Sequence, residues 1–316
     1  MSAIRIVKDL DECASLWQSY YPVESLFDLW HIRDIFSQLY GRENFFIVHE
    51  DSGRVNGLLA LCKIIETSQP NQICNFAFFP GEVWKKRTWM EQNKIVAQNS
   101  SVMEEMLCAV PGSADIRYLC EKSLENIPSK FSSGCTVDET GYLFYPEQHG
   151  YSYENYLGAF AGKSRKKILS EVRAIERAGI SFRYNKLEDV DALFQLNISN
   201  FGEDGYFNDP RFLNSFIELT RSLNEHGMLR VVTVLVGGEV AAVDMGAMWN
   251  NSCTMLAGGT SKNFPGIAKL INLHHMEWAC AQKVEYLDFL CGDFGWKERF
   301  HLTPRALYKI NITAMP

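Results

Sequence analysis

One order of elements occurs twice in this chain of 316 residues, and that repeat constrains the fold more than any other feature. Residues 4–8 read as a short strand, and residues 10–20 follow with Leu10, Cys13, Ala14, Leu16 and Trp17 at helical spacing, which gives one apolar face. A second helix is expected over residues 23–40. Two strands then fold back at Asp51-Ser52-Gly53, and a third lies near residues 73–79. Residues 101–109 read as a helix, residues 115–120 as a strand, and residues 134–145 supply the last strands of this half.

The second half repeats the order. A strand is expected at residues 180–184, helices at 187–200 and 210–226, and a hairpin that turns at Gly237-Gly238. A strand over 252–259, a helix over 266–281, a strand over 284–290 and a last strand near 307–312 complete it. Two local matches support the duplication: LDECASLWQ from Leu10 aligns with LEDVDALFQ from Leu187, and the hairpin segment GRVNG from Gly53 aligns with GEVAA from Gly238.

Composition narrows the class. Hydrophobic residues make up 47% of the chain, enough for packed cores. The net charge of −7 argues against a general nucleic-acid binder, though a local basic patch is compatible with it. The N-terminus MSAIRIVKDLDE has acids where a signal peptide has its apolar core, and no apolar run reaches the ~18 residues of a membrane span. A soluble, cytoplasmic protein is therefore expected. Most of the nine cysteines sit in apolar segments and none forms a C-x-x-C pair, so reduced structural cysteines are expected and no metal site.

Several segments could carry chemistry. In LDFLCGDFGWKERF, residues 287–300, Gly292 permits a tight bend at a strand's end. Lys297 then projects a cation, either toward an oxyanion or simply to solvent beside Glu298. The run Asn263-Phe264-Pro265-Gly266-Ile267-Ala268 opens a helix, where first-turn N–H groups either meet a phosphate or are merely a Pro-Gly helix start. Residues 162–186 hold eight basic residues and two acids. Ile168, Val172 and Ile175 mark the inner stripe of a helix there, and Arg165 and Lys166 lie on its basic side, either as phosphate ligands or as a solvated face. Asp244 lies among apolar residues of a strand, as a buried base with a partner or as a surface carboxylate. Tyr206 and Phe207, in the loop GEDGYFND, either line an acceptor pocket or belong to a turn, and the adjacent His274 and His275 make a poor metal pair.

The order of elements resembles the GNAT acyltransferase fold, an α/β (α+β) architecture whose mixed, mostly antiparallel sheet is flanked by helices and whose fourth and fifth strands part for a pantetheine arm. A tandem pair resembles two groups: the CelD/BcsL-type acetyltransferases of polysaccharide biosynthesis and, more distantly, the Fem-type aminoacyl transferases of peptidoglycan. Asp288, Phe289, Gly292, Trp296, Lys297 and Phe300 match a signature both share, with Trp296 standing where Phe or Tyr is usual. The Gly266 turn matches the G-x-A half of the GNAT pyrophosphate motif, with Asn263 in place of Gln or Arg.

The resemblance implies two tandem GNAT-like domains: residues 1–148 as a degenerate copy, since PGEVWKKRTWMEQNK lacks a G-x-G/A turn, 149–179 as a basic helical connector, and 180–316 with the active site. It further implies catalytic roles for Lys297 and Asp288, to which the strand carboxylate Asp244 is added as a candidate base, and contacts to acyl-CoA from Asn263, Gly266, Ile267, Ala268, Arg165 and Lys166. Tyr206, Phe207, Asp293 and Trp296 are then the residues expected on the acceptor side. The expected activity is acyl transfer, with acyl-CoA as donor, to an amine or hydroxyl of a small molecule or cell-envelope precursor. The alternatives are a transferase that uses aminoacyl-tRNA and a peptidoglycan or peptide acceptor, which the acidic balance disfavours and the basic helix favours, and a binding protein that kept the fold without catalysis.

Overall fold

The computed structural model describes residues 2–65, 74–82, 89–292 and 295–313. The chain divides into two compact units: residues 1–140 with 306–316, and residues 141–305. The α/β class and the mixed sheets flanked by helices expected from the sequence are observed.

The first unit begins with β1 (Ser2–Val7), α1 (Leu10–Tyr20) and α2 (Trp30–Tyr40), then β2 (Asn44–Asp51), β3 (Arg54–Ile65), β4 (Cys74–Phe78) and the short β5 (Val96–Ala97). It continues through α3 (Ser100–Cys108), β6 (Ser113–Leu119) and α4 (Ser129–Ser132) into β7 (Cys135–Phe144). The expected helix over residues 23–40 is broken. The Asp28 carboxylate accepts from the N–H groups of Glu24 and Ser25 and from Lys94 Nζ, which winds a single 3-10 turn, and Leu29 is extended (ψ 122°) before α2 starts. The sheet order is β1-β2-β3-β4-β6-β13, antiparallel except for the parallel β4–β6 pair, with the last strand, β13 (Thr303–Ile312), drawn from the chain's end. Trp17, Phe36, Phe46 and Ile47 are among its largest fully buried side chains.

The second unit holds α5 (Tyr153–Gly158), α6 (Gly162–Glu176), β8 (Ile180–Tyr184), α7 (Asp189–Phe201), α8 (Pro210–Glu225), β9 (Leu229–Val236), β10 (Glu239–Trp249), β11 (Ser252–Thr260), α9 (Ile267–Gln282) and β12 (Leu287–Cys291). Local chemistry sets these bounds. Asp209 caps α8 by accepting from the N–H of Arg211, and Pro210 occupies its first turn, where no N–H is missed. Gly237 (φ 57°) and Gly238 (φ 90°) form the two-residue turn between β9 and β10; Ser52 (φ 53°) and Gly53 (φ 78°) do the same between β2 and β3. The sheet order is β7-β12-β11-β10-β9-β8, and only β11–β12 is parallel.

The faces of this second sheet are distinct. Val232, Val234 and Val236 of β9 pack with Ile267, Leu270 and Ile271 of α9, so α9 covers one face. The main chain of Leu193 in α7 lies against Gly259, one residue on from Gly258, so α7 covers the other. Helix α6 lies over α9: Val172 and Ile175 join the same cluster, and Lys269 pairs with Glu171.

Candidate active site

Strands β11 and β12 pair only at Cys253↔Leu287 and Thr254↔Asp288. Beyond Thr254 no further pair joins them among the described residues, and Gly258, four residues on, is exposed although it lies inside a strand. The sheet thus opens into a wedge on the C-terminal side of a parallel pair.

Two features hold the wedge's β12 wall. Asp288 is buried; its Oδ1 accepts from the N–H of Leu290 at 2.9 Å and its Oδ2 from Arg305 at 2.7 Å. Leu290 itself is left-handed (φ 57°), inside a bulge where β12 loses register with β7 between Asp288 and Cys291. That bulge turns three successive carbonyls inward. Lys297, 3% exposed, donates to the carbonyls of Phe289 (2.9 Å), Leu290 (2.8 Å) and Cys291 (2.9 Å), with the Tyr142 ring 5.4 Å from its Nζ. An ammonium has three protons to give. The sequence assigned them to an oxyanion; in the structure all three face main-chain carbonyls, and the lysine clamps the end of β12. Nor is it a surface lysine beside Glu298, which instead accepts from the Tyr142 hydroxyl at 3.3 Å. Trp296 packs edge-on to Phe289 and Phe300, with ring centroids at 5.5 and 5.6 Å. Asp293 lies outside the described residues.

At the other side of the wedge, Asp244 faces Gly258 across the β10–β11 ladder. One carboxylate oxygen, Oδ2, accepts from His275 Nε2 at 2.9 Å. The other stands where a Cβ of residue 258 would be, and it makes no hydrogen bond among the described residues. His275 is 0% exposed, and its Nδ1 accepts from Arg230 at 2.8 Å. An arginine can only donate, so this contact fixes the neutral tautomer with the proton on Nε2. Burial lowers the His275 pKa, and the contact with Asp244 opposes that shift. Arg230 lies over the Trp278 ring at 3.8 Å, and burial lowers its pKa also.

The turn into α9 completes the site. Gly266 is left-handed (φ 88°) and the helix has no side-chain cap, so its first N–H groups are not covered by a local carboxylate or hydroxyl. Asn263, Gly266 and Ala268 are exposed, whereas Ile267 belongs to the core and its N–H bonds to the Phe264 carbonyl at 3.1 Å. From α7, Asn197 donates to the Gly258 carbonyl (3.0 Å) and Asn200 to the Thr260 carbonyl (2.6 Å), which fixes the end of β11 leading into this turn.

Other expected residues fall elsewhere. Phe207 is buried against Phe194, Phe212 and Phe216, and Tyr206 packs on Phe212; both serve the packing of α7 and α8. In α6 the residues that meet α9 or the core are Ile168, Glu171, Val172 and Ile175. At about 100° per residue, Lys166, Arg173 and Arg177 lie on the opposite face and Arg165 lies at its edge, about 60° from Ile168; the four line an open groove of about 630 Å³ with Glu154 and Leu157 of α5. Lys166 is therefore turned away from the Gly266 turn, and Arg165 stands ten residues before Ile175, the residue that meets Gly266, about 15 Å along the helix. Sequence reading gave no signal for Arg230 or Gly258, and it took His275 as a core or surface histidine rather than a metal ligand; the structure places it in the core.

Among the described residues no helix is long and apolar enough to cross a membrane, and no three His, Cys, Asp or Glu side chains are placed to hold a metal ion. Comparison with known proteins agrees with the geometry. Residues 162–298 match the family model of the acetyltransferase (GNAT) domain. Among solved structures, the chain resembles FemX, with 11% identity over 97% of this chain and 96% of that one, at a TM-score of 0.60. It also resembles L-PGS from Bacillus licheniformis, with 12% identity over 98% and 93% of the two chains and a TM-score of 0.55. A tandem GNAT protein from the clavulanic acid biosynthesis pathway aligns over 100% of this chain and 99% of its own, at 11% identity and a TM-score of 0.52. No curated protein matches the chain. Residues 162–298 thus resemble an acetyltransferase (GNAT) domain, in a chain with the tandem GNAT fold.

Proposed function

We propose that the second unit transfers an acyl group from acyl-CoA to an amine or hydroxyl of its acceptor, with the reacting carbonyl in the wedge between β11 and β12. The observation that carries this reading is the uncommitted oxygen of Asp244 over exposed Gly258, at the point where the two strands have parted. The residues present suit the donor. The left-handed, uncapped Gly266 turn offers N–H groups to a pyrophosphate, and the open edge of β11 beyond Thr254 offers main-chain groups to a pantetheine amide and to a developing oxyanion.

The chemistry is then direct. The acceptor's nitrogen or oxygen attacks the thioester carbonyl, the C–N or C–O bond forms, and the C–S bond breaks with its electron pair leaving on sulfur. The proton released by the acceptor goes to Asp244 Oδ1. Lys297 and Asp288 act by holding β12 away from β11, so their share is the shape of the wedge. The acceptor is an envelope precursor or small molecule, a reading supported by the likeness to FemX and L-PGS.

A second reading has its own observation. Arg165, Lys166, Arg173 and Arg177 share one face of α6 and form no ion pair among the described residues, which suits the phosphates of an aminoacyl-tRNA donor. Thermal shift separates the two donors. Stabilisation by acetyl-CoA or a longer acyl-CoA supports the first, stabilisation by charged tRNA that fades with salt supports the second, and no shift with either overturns both.

A further inference from the structure

Arg230, His275 and Asp244 come from β9, α9 and β10, and they meet as a single hydrogen-bonded line under α9. Arg230 donates to Nδ1 of the imidazole, and Nε2 donates to the carboxylate. The far oxygen of Asp244 lies against Gly258, which is exposed. This line is costly. The Arg230 Nη2 is buried without a hydrogen-bond acceptor among the described residues, and the guanidinium's charge is directed at a neutral ring rather than at the carboxylate beyond it. A network kept for stability alone gains more from a direct Arg–Asp pair or from apolar packing.

We propose that His275 and Arg230 are positioning residues that hold Asp244 ionised and aimed at the wedge, with Arg230 locking His275 as the neutral donor. This rests on the reading that Asp244 accepts the acceptor's proton. The imidazole N–H stabilises the charged carboxylate, so it is ready to take a proton at Oδ1 as the C–S bond breaks. With Nδ1 already accepting from Arg230, the ring cannot gain a proton of its own and turn into a competing cation. The low pKa that burial gives His275 acts in the same direction. The charged and titratable groups around the pair are Arg230 from β9, Asp244 from β10, Cys253 from β11, Tyr184 from β8 and His274 beside it on α9.

Carboxyl-carbon NMR of the full chain labelled with ¹³C-aspartate tests this without an acceptor, the Asp244 resonance being assigned by its loss in Asp244→Asn. In His275→Leu the Asp244 midpoint is expected to rise by about one pH unit. In His275→Gln, which keeps a donor near the position of Nε2, it is expected to stay within ~0.3 unit of the parent. In Arg230→Met the imidazole resonances of His275 are expected to titrate at higher pH than in the parent. An Asp244 midpoint that is unmoved in folded His275→Leu, or one that moves as far in His275→Gln, overturns the proposal, as does an unmoved His275 in Arg230→Met. If His275→Leu does not fold, the Gln and Met variants decide the matter alone. Failure of the parent protein to bind any acyl-CoA overturns the donor reading instead, and the two failures are read from different experiments.

Discussion

The Asp244 carboxylate occupies the space that a Cβ at Gly258 would fill. The pair sits across the β10–β11 ladder, and the strand is exposed at that glycine because β12 has already left it.

Gly258→Ala therefore tests the site without touching a polar group. The added methyl must displace the carboxylate, and a displacement of about 1 Å at a reacting group costs roughly 100-fold in rate. Transfer is expected to fall by about that factor with a small change in melting temperature. A variant as active as the parent places the proton acceptor elsewhere.

Lys297→Met is expected to act on stability first. It leaves three inward carbonyls of β12 without a donor, at a cost of roughly 3 kcal/mol in urea denaturation. Lys297→Ala with unchanged stability and abolished transfer is the opposite outcome, and it returns the lysine to an oxyanion role.

The double substitution Arg165→Glu with Lys166→Glu separates the two donors. Since both residues lie about 15 Å along α6 from Ile175, the residue that meets the Gly266 turn, acetyl-CoA affinity is expected to change by less than about threefold, the effect of screened charges at a distance. A loss of acyl-CoA binding would put the groove back in the donor site. Loss of charged-tRNA binding alone favours the second donor.

Stability has a pH signature in α9. Burial, with the charge of Arg230 nearby, depresses the His274 pKa to about 4, while its ring stacks on Phe182 and its Nε2 meets the Tyr184 hydroxyl at 3.1 Å. A depressed folded-state pKa means that the unfolded chain takes up the proton first as pH falls. Stability from this group is thus full above the unfolded value near 6.5 and is lost as pH falls toward about 4. Melting temperature is expected to drop across that window, and to drop less in His274→Phe, which keeps the stack. An equal slope in the variant assigns the effect to other groups.

The elements legible in the sequence are those fixed by neighbours along the chain. The Gly237-Gly238 turn, the Asp209-Pro210 helix start and the apolar stripe of α1 are each local, and each forms where expected. Helix α2 was misjudged because its break depends on Asp28 meeting Lys94, which is 66 residues away. The same limit governed the site. Asp244 stood out as a carboxylate among apolar residues, but Arg230 and His275 are 45 residues apart and nothing near either one marks the other. Lys297 was visible as part of a signature, whereas its surroundings depend on a bulge at left-handed Leu290 that no residue type in β12 announces.

The most direct measurement is an acetyl-CoA titration of the parent protein and of Gly266→Val, followed by thermal melting. A β-branched residue is strained at φ 88°, so the variant distorts the N–H groups of the α9 turn. At a ligand concentration about 100 times Kd, the parent is expected to gain about 2.7 kcal/mol, a rise of several degrees, and the variant almost none. A parent protein that neither binds nor is stabilised by acetyl-CoA or longer acyl-CoAs would contradict acyl-CoA-dependent transfer in the wedge.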